Sequence, residues 1–155
     1  MSEVTLTPIT ESEFAIWLVK SKDTYRDEIV KNGSTFDEAQ KKADDDMGRL
    51  LPEGHLTPDQ HVFAIKLAEE WLGTIWFGVR GAVDNRKAFI YDIVLAPETR
   101  GKGYGKKAML LLEDEVKKLG LKHIGLHVFG HNHVARNLYE SLGYGITNLN
   151  LEKVL

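Results

Sequence analysis

Three glycines at every second position, Gly101, Gly103 and Gly105, follow an apolar run that ends at Pro97 and lead into an amphipathic segment, Lys106 to Leu119. Strand, glycine turn, helix is an order that builds anion sites. The first amides of a helix lack internal partners and lie at the positive end of its dipole, so phosphate oxygens bind there with little help from side chains. Lys102, Lys106 and Lys107 add positive charge around the turn, and the loop is expected to hold a pyrophosphate. The turn has no Gly-Lys-Ser/Thr ending of a nucleoside-triphosphate loop, and its alternate glycines are not the dinucleotide spacing. A tight connection without a ligand is the competing reading of the loop alone.

Two further residues have types suited to proton transfer. Asp92 interrupts the otherwise apolar run Ala88 to Leu95, and a carboxylate there must be hydrogen-bonded, paired or turned to a cleft, because burying it alone is costly. His127 lies in a second apolar run, Ile124 to Phe129, and imidazole titrates in the range useful to a base. Alternation along a strand puts Leu126 and Val128 on the face opposite His127. His127, His131 and His133 straddle a strand end and a loop, with no cysteine or carboxylate to complete a zinc set, so no metal site is expected. Asp44-Asp45-Asp46 falls in a helical pattern whose successive side chains diverge, which makes it a solvated face.

The elements that must position these residues follow from periodicity. Val4 and Leu6 alternate with threonines as a short strand. Thr10 to Glu13 and Thr35 to Glu38 each read as a capping box, opening one helix with Phe14, Trp17, Leu18, Tyr25 and Ile29, and another with Phe36, Ala39, Ala43, Met47 and Leu50. From His61 the period becomes two: Val62 to Leu67 and Trp71 to Val79 form a hairpin, and Ala88 to Leu95, apolar nearly throughout, should be central in its sheet. The helix after the glycine turn ends at Gly120. Ile124 to Phe129 should then lie parallel to Ala88 to Leu95, because a helical connection in one sheet makes a right-handed parallel crossover. Asn132 caps a last helix carrying Ala135, Leu138, Tyr139 and Leu142, and a final strand is expected around Leu149, Leu151 and Val154. The sum is one α+β domain, residues 1–155, with a mixed sheet and the order β-α-α-β-β-β-α-β-α-β.

With 155 residues, 43% hydrophobic, the chain can bury one substantial core. A net charge of -3 argues against a dedicated nucleic-acid binder. The absence of cysteine excludes disulfides, thiolate metal sites and a cysteine nucleophile, and suits a cytoplasmic location. No run approaches a membrane span, and Met1 to Glu13 lacks the basic start and apolar block of a signal peptide.

Two blocks together carry a family likeness. Arg100-x-x-Gly103-x-Gly105 follows a strand and precedes a helix; Asn132-x-x-Ala135 and Leu138-Tyr139-x-x-Leu142-Gly143-Tyr144 follow the next strand. In this the chain resembles the GNAT superfamily of acyl-CoA-dependent N-acetyltransferases, of the small stand-alone bacterial type. The resemblance implies two central parallel strands splayed around a cleft for acetyl-CoA as co-substrate, with no metal. By the same resemblance, backbone groups of Ile93, Val94 and Leu95 would pair with the pantetheine arm. The amides of Gly101, Lys102, Gly103, Tyr104, Gly105 and Lys106 would hold the pyrophosphate with help from the charge of Arg100, and Asn132 would anchor the pantetheine. Tyr139 stands where the family places its general acid; a core tyrosine is the reading of the bare pattern. Asp92, His127 or a water chain would serve as base. The partners implied are acetyl-CoA and an amine acceptor, without nucleic acid or membrane, in a monomer or homodimer. Trp17, Trp71 and Trp76 line an acceptor pocket or fill the core; His55 and His61 line its mouth or have no role. A non-catalytic acyl-CoA sensor is the alternative, and it has no need for Tyr139.

Overall fold

The computed structural model describes residues 3–155. Its chain order is β1 (Val4–Pro8), α1 (Glu11–Lys31), α2 (Phe36–Leu50), β2 (Gln60–Leu67), β3 (Glu70–Arg80), β4 (Lys87–Leu95), α3 (Tyr104–Lys118), β5 (Ile124–Leu126) and α4 (His133–Ser141), with single 3-10 turns between some of them. Both capping boxes form. Thr10 Oγ1 accepts from the Glu13 amide at 3.2 Å while Glu13 Oε1 accepts from the Thr10 amide at 3.0 Å, and Thr35 and Glu38 repeat the exchange. Glu13 also meets Lys66 Nζ at 3.0 Å, which ties the start of α1 to β2.

The five strands lie in chain order, antiparallel from β1 to β4 and parallel between β4 and β5, so β4 is an interior strand as its apolar run predicts. The sheet separates two cores. Ile65, Ile75, Phe77, Met109, Leu112 and Val116 are fully buried on the α3 side, where Tyr139 and Leu142 of α4 also pack. Phe14, Trp17, Met47, Val62 and Trp76 fill the other side beneath α1 and α2. Burial of one such large apolar side chain stabilises the fold by about 1.5–3 kcal/mol.

Three expectations are corrected. β5 stops at Leu126 instead of Phe129, because β4 pairs with it only from Ala88 to Ile90 and the chain beyond packs its own rings together, His127 edge-on to Phe129 and Phe129 stacked on His131. Residues 145–155 form no strand: in a single copy the tail meets no edge to pair with, and a strand exists only by pairing. Phe36 is exposed at the start of α2, with the Arg26 guanidinium 4.7 Å from its ring centre.

At Gly73 of β3 a Cβ would collide with the Val94 carbonyl of β4. No flexible side chain can yield there. Gly73→Ala should therefore lower the stability measured by urea unfolding by about 1–3 kcal/mol, the usual cost of overpacking; an unchanged midpoint would contradict this close approach.

Candidate active site

Register, more than composition, aims the site. Trp76 pairs with Asp92 and the next residue, Phe77, with Ile90, so Tyr91 is an extra residue in β4, a bulge. Before the bulge, Ala88 and Ile90 face the α3 core; after it, Ile93 and Leu95 do. The inserted residue reverses the alternation, so Tyr91 and Asp92 both face the α1/α2 side. Tyr91 is held there by stacking on Trp76, ring centres 4.5 Å apart, and by its hydroxyl, which accepts from Arg80 Nε at 3.0 Å.

On that side lies a cavity of ≈ 850 Å³, walled by Trp17, Thr24 and Glu28 of α1, Asp46 and Met47 of α2, Trp71, Gly73 and Trp76 of β3, and Tyr91, Asp92 and Val94 of β4. Arg100 and His127 close its far end. All three tryptophans thus line the cavity, and Trp17 and Trp76 also belong to the core beneath it. Asp46 is already engaged, by the Tyr25 hydroxyl and Lys42 at 2.8 Å each. Asp92 and Glu28 have no ion pair among the described residues. Burial, and then the charge of Glu28, push the Asp92 carboxyl up to about 6 against the opposing pull of the Ile93 amide.

β4 runs on for five residues past its last β5 pair, so the edge of Tyr91 to Leu95 facing β5 carries unpaired backbone groups. Ile93 and Leu95 point into the core and Val94 into the cavity, which leaves the main chain as what this edge offers. Beyond it, Gly101 and Gly103 have φ of +76° and +82°, values that disfavour any side chain, and a Cβ on either would meet open space. Thr10, Thr35 and Asn132 cap α1, α2 and α4 with their side chains, but no side chain caps α3. The amides of Tyr104, Gly105 and Lys106 therefore stand open at a positive helix end. Lys102, Lys106 and Lys107 are exposed around them, whereas the Tyr104 ring packs into the core. Arg100 donates from Nε to the Leu95 carbonyl at 3.1 Å, bracing the end of β4. Gly105 is small enough to sit between Leu95 and Leu138, which brings this helix start against both β4 and α4.

Across the gap, Asn132 accepts the Ala135 amide at 3.2 Å through Oδ1, so its Nδ2 remains available to donate. Tyr139 is half-buried on α4; burial, and then the charge of Asp92, raise its phenol above the usual range and keep it protonated at neutral pH. Tyr139 and Asn132 do not line the cavity itself; Tyr139 packs against the α3-side core, close enough to Asp92 to feel its charge. His127 is exposed on the cavity wall with its ring edge-on to Phe129 at 5.0 Å. His55 and His61 are elsewhere: His55 lies on Phe14, and His61 stacks on Phe77 on the α3 side. No three of the described His, Asp or Glu residues are grouped to share a metal ion.

This arrangement has known counterparts. Residues 22–144 match the model of the acetyltransferase (GNAT) family. The chain belongs to that family. As a GNAT protein it is an acyl-CoA-dependent N-acetyltransferase. It is 36% identical to the uncharacterized N-acetyltransferase YycN of Bacillus subtilis over 98% of this chain and 99% of the relative. It superposes on the YycN crystal structure with a TM-score of 0.88, covering 99% of each chain. YdgE, another uncharacterized N-acetyltransferase of B. subtilis, is 30% identical over 97% of this chain and 98% of its own. A Pyrococcus furiosus structure at 24% identity, TM-score 0.69 over the full length of both chains, shares the fold.

Glu28 and Tyr91 were not foreseen as site residues. Glu28 belongs to a helix face that looked merely polar, and the bulge at Tyr91 leaves no mark in residue type. An ionised Asp92 costs the folded state stability, because its carboxyl holds its proton to a higher pH when folded than when unfolded. Below about pH 4 both states are protonated and the cost is absent; it grows as pH rises to about 6 and is constant beyond. Asp92→Asn should thus be more stable than the parent by up to about 3 kcal/mol above pH 6, the advantage vanishing towards pH 4 in paired thermal melts; a pH-independent difference would show that Asp92 is not shifted.

Proposed function

We propose that the chain transfers an acetyl group directly from acetyl-CoA to a primary amine seated in the cavity beneath α1 and α2. The observation that carries this reading is the edge of β4 without a strand partner beyond Ile90, which leads past Asp92 to an uncapped helix start. Main-chain groups of Ile93, Val94 and Leu95 pair with the extended pantetheine arm as an added strand would. Amides from Gly101 to Lys106 receive the pyrophosphate, and the exposed lysines add attraction of about 1 kcal/mol or less each. Asn132 donates its free Nδ2 to the pantetheine near the thioester.

An aliphatic amine is almost wholly protonated at neutral pH, so it must lose a proton before it attacks. Asp92, with its carboxyl titrating near 6, is ionised at pH 7 yet basic enough to take that proton directly or through water. His127, exposed on the cavity lining, is the other candidate. The amine nitrogen forms its bond to the thioester carbon, the carbon–sulfur bond breaks, and the sulfur takes a proton from the Tyr139 hydroxyl; the second proton lost by the acylated nitrogen returns through water to the Tyr139 phenolate, and Asp92 releases the first to solvent, so amide and free thiol leave with both side chains restored. Burial keeps that hydroxyl protonated until the thiolate appears. The acceptor walls are aromatic with unpaired carboxylates at Glu28 and Asp92, which suits a cationic amine on an apolar body.

In an assay of thiol release over a panel of amines, Tyr139→Phe should lower turnover about 10- to 1,000-fold while the calorimetric affinity for acetyl-CoA stays within about twofold. Unchanged turnover would remove Tyr139 as the acid. Gly103→Val forces a β-branched residue to positive φ and places it where the phosphates would lie, so acetyl-CoA affinity should fall at least about tenfold with the fold retained by circular dichroism. Parental affinity in that variant would displace the pyrophosphate from this loop.

A further inference from the structure

The cavity beneath α1 and α2 has two ends of opposite charge. α1 folds back into α2, with Arg26 on Gln40 and the Tyr25 hydroxyl on Asp46. Lys20 and Arg49 both lie beyond the Tyr25–Asp46 contact, away from the turn between the helices, and Glu28 lies on the near side of it; all three line the cavity. Lys20, Thr24 and Glu28 share one face of α1, which rises about 12 Å from the first to the last. Asp92 belongs to the Glu28 end: the charge of Glu28 helps to raise its carboxyl, and neither Lys20 nor Arg49 is among the charges that act on it. Lys20 has no ion pair among the described residues. Arg49 has a loose one, 3.7 Å from an Asp46 that the Tyr25 hydroxyl and Lys42 already hold at 2.8 Å each. The remaining charges on the lining, Glu98 and Arg100, follow Pro97 at the end where the donor loop begins.

We propose that the acceptor is an amine that also carries a carboxylate, its amino end received by Asp92 and Glu28 and its carboxylate by Lys20 and Arg49. This rests on the acetyl transfer proposed above, because it takes the cavity for the acceptor's place. Neighbouring carboxylates without a cation of their own attract an ammonium, while a guanidinium offers a fork that matches a carboxylate and a lysine adds a mobile point charge. Between the two ends Trp17, Trp76 and Tyr91 supply an aromatic wall for an apolar linker. A second ammonium would meet Lys20 and Arg49 as like charges, so the same arrangement selects against diamines. The length of α1 between Lys20 and Glu28 calls for an extended linker, not for an α-amino acid whose two charges share one carbon.

Matched series of n-alkylamines, α,ω-diamines and ω-aminocarboxylates of increasing length test this in two readouts: thiol release with acetyl-CoA, and binding without it, followed by quenching of the tryptophans that line the cavity. At its best length the aminocarboxylate should exceed the matched alkylamine and diamine at least about tenfold in both kcat/KM and affinity. The double variant Lys20→Glu, Arg49→Glu should turn the preference towards the diamine, with the change in KM more than in kcat. Both side chains are exposed, so native circular dichroism is expected; Lys20→Gln, Arg49→Gln, which only removes the charges, should abolish the preference and decides the matter if the reversal unfolds the chain. Preferential binding of the aminocarboxylate without thiol release would uphold this inference and remove the transfer it rests on. Equal use of the three series, a preference for diamines, binding of none of them, or a preference that survives the double variants would overturn it.

Discussion

The site depends on what happens to β4 within a few residues: one side of the strand takes in an extra residue, Tyr91, and the other side loses its partner after Ile90. The first event rotates Asp92 out of the α3 core and into the cavity. Without it the carboxylate would face Met109 and Leu112, where burial without a partner would cost far more than its present position does. The second leaves a length of main chain with no strand beside it on that edge, and among the described residues only the Leu95 carbonyl, held by Arg100, has a side-chain donor in place of a strand. Backbone groups are normally satisfied, so such an edge is tolerable where it opens to solvent or to a ligand. An isolated carboxylate and an edge without a strand partner thus arise from the same short stretch of backbone.

Rigidity around that stretch comes from both faces. Trp76 stacks on Tyr91, Trp17 meets Trp76 edge-on at 5.5 Å, and Phe14 packs on Trp17 at 5.5 Å, so an aromatic chain runs from the bulge to the first turn of α1. On the opposite face Ile93 and Leu95 anchor the free edge in the α3 core, and Arg100 holds the last carbonyl of the strand. The β4 edge consequently owes its shape to side chains packed on both faces, while what it exposes along Ile93 to Leu95 is main chain. In the binding mode we propose, such an edge depends little on side-chain identity.

The legible parts of the chain were those governed by local chemistry. Thr10 and Thr35 marked two helix starts because a hydroxyl and a glutamate three residues on can satisfy each other's orphan amides, and the glycine turn of Gly101, Gly103 and Gly105 announced a third helix, which the structure begins two residues before the expected Lys106. Alternation located β2, β3 and β4. What stayed hidden was relational: the bulge at Tyr91, the early end of β5 at Leu126 and the proximity of Glu28 to Asp92 arise from how strands register and diverge. The tail shows the same limit from the other side, since its residues alternate as a strand does and yet form none.

Asp92 and Tyr139 show how burial and charge set two proton affinities together. Asp92 is raised by burial and by Glu28, yet only to about 6, so it still loses its proton at neutral pH; Tyr139 is raised by burial and by Asp92 itself. The two groups are therefore coupled: ionising the carboxylate makes the phenol hold its proton more firmly, and protonating the carboxylate relaxes that hold. In the reaction we propose, with Asp92 as base and Tyr139 as acid, the proton taken from the amine is what frees the phenol to donate, and the bulge that turns Asp92 out of the α3 core sets the charge that Tyr139 feels.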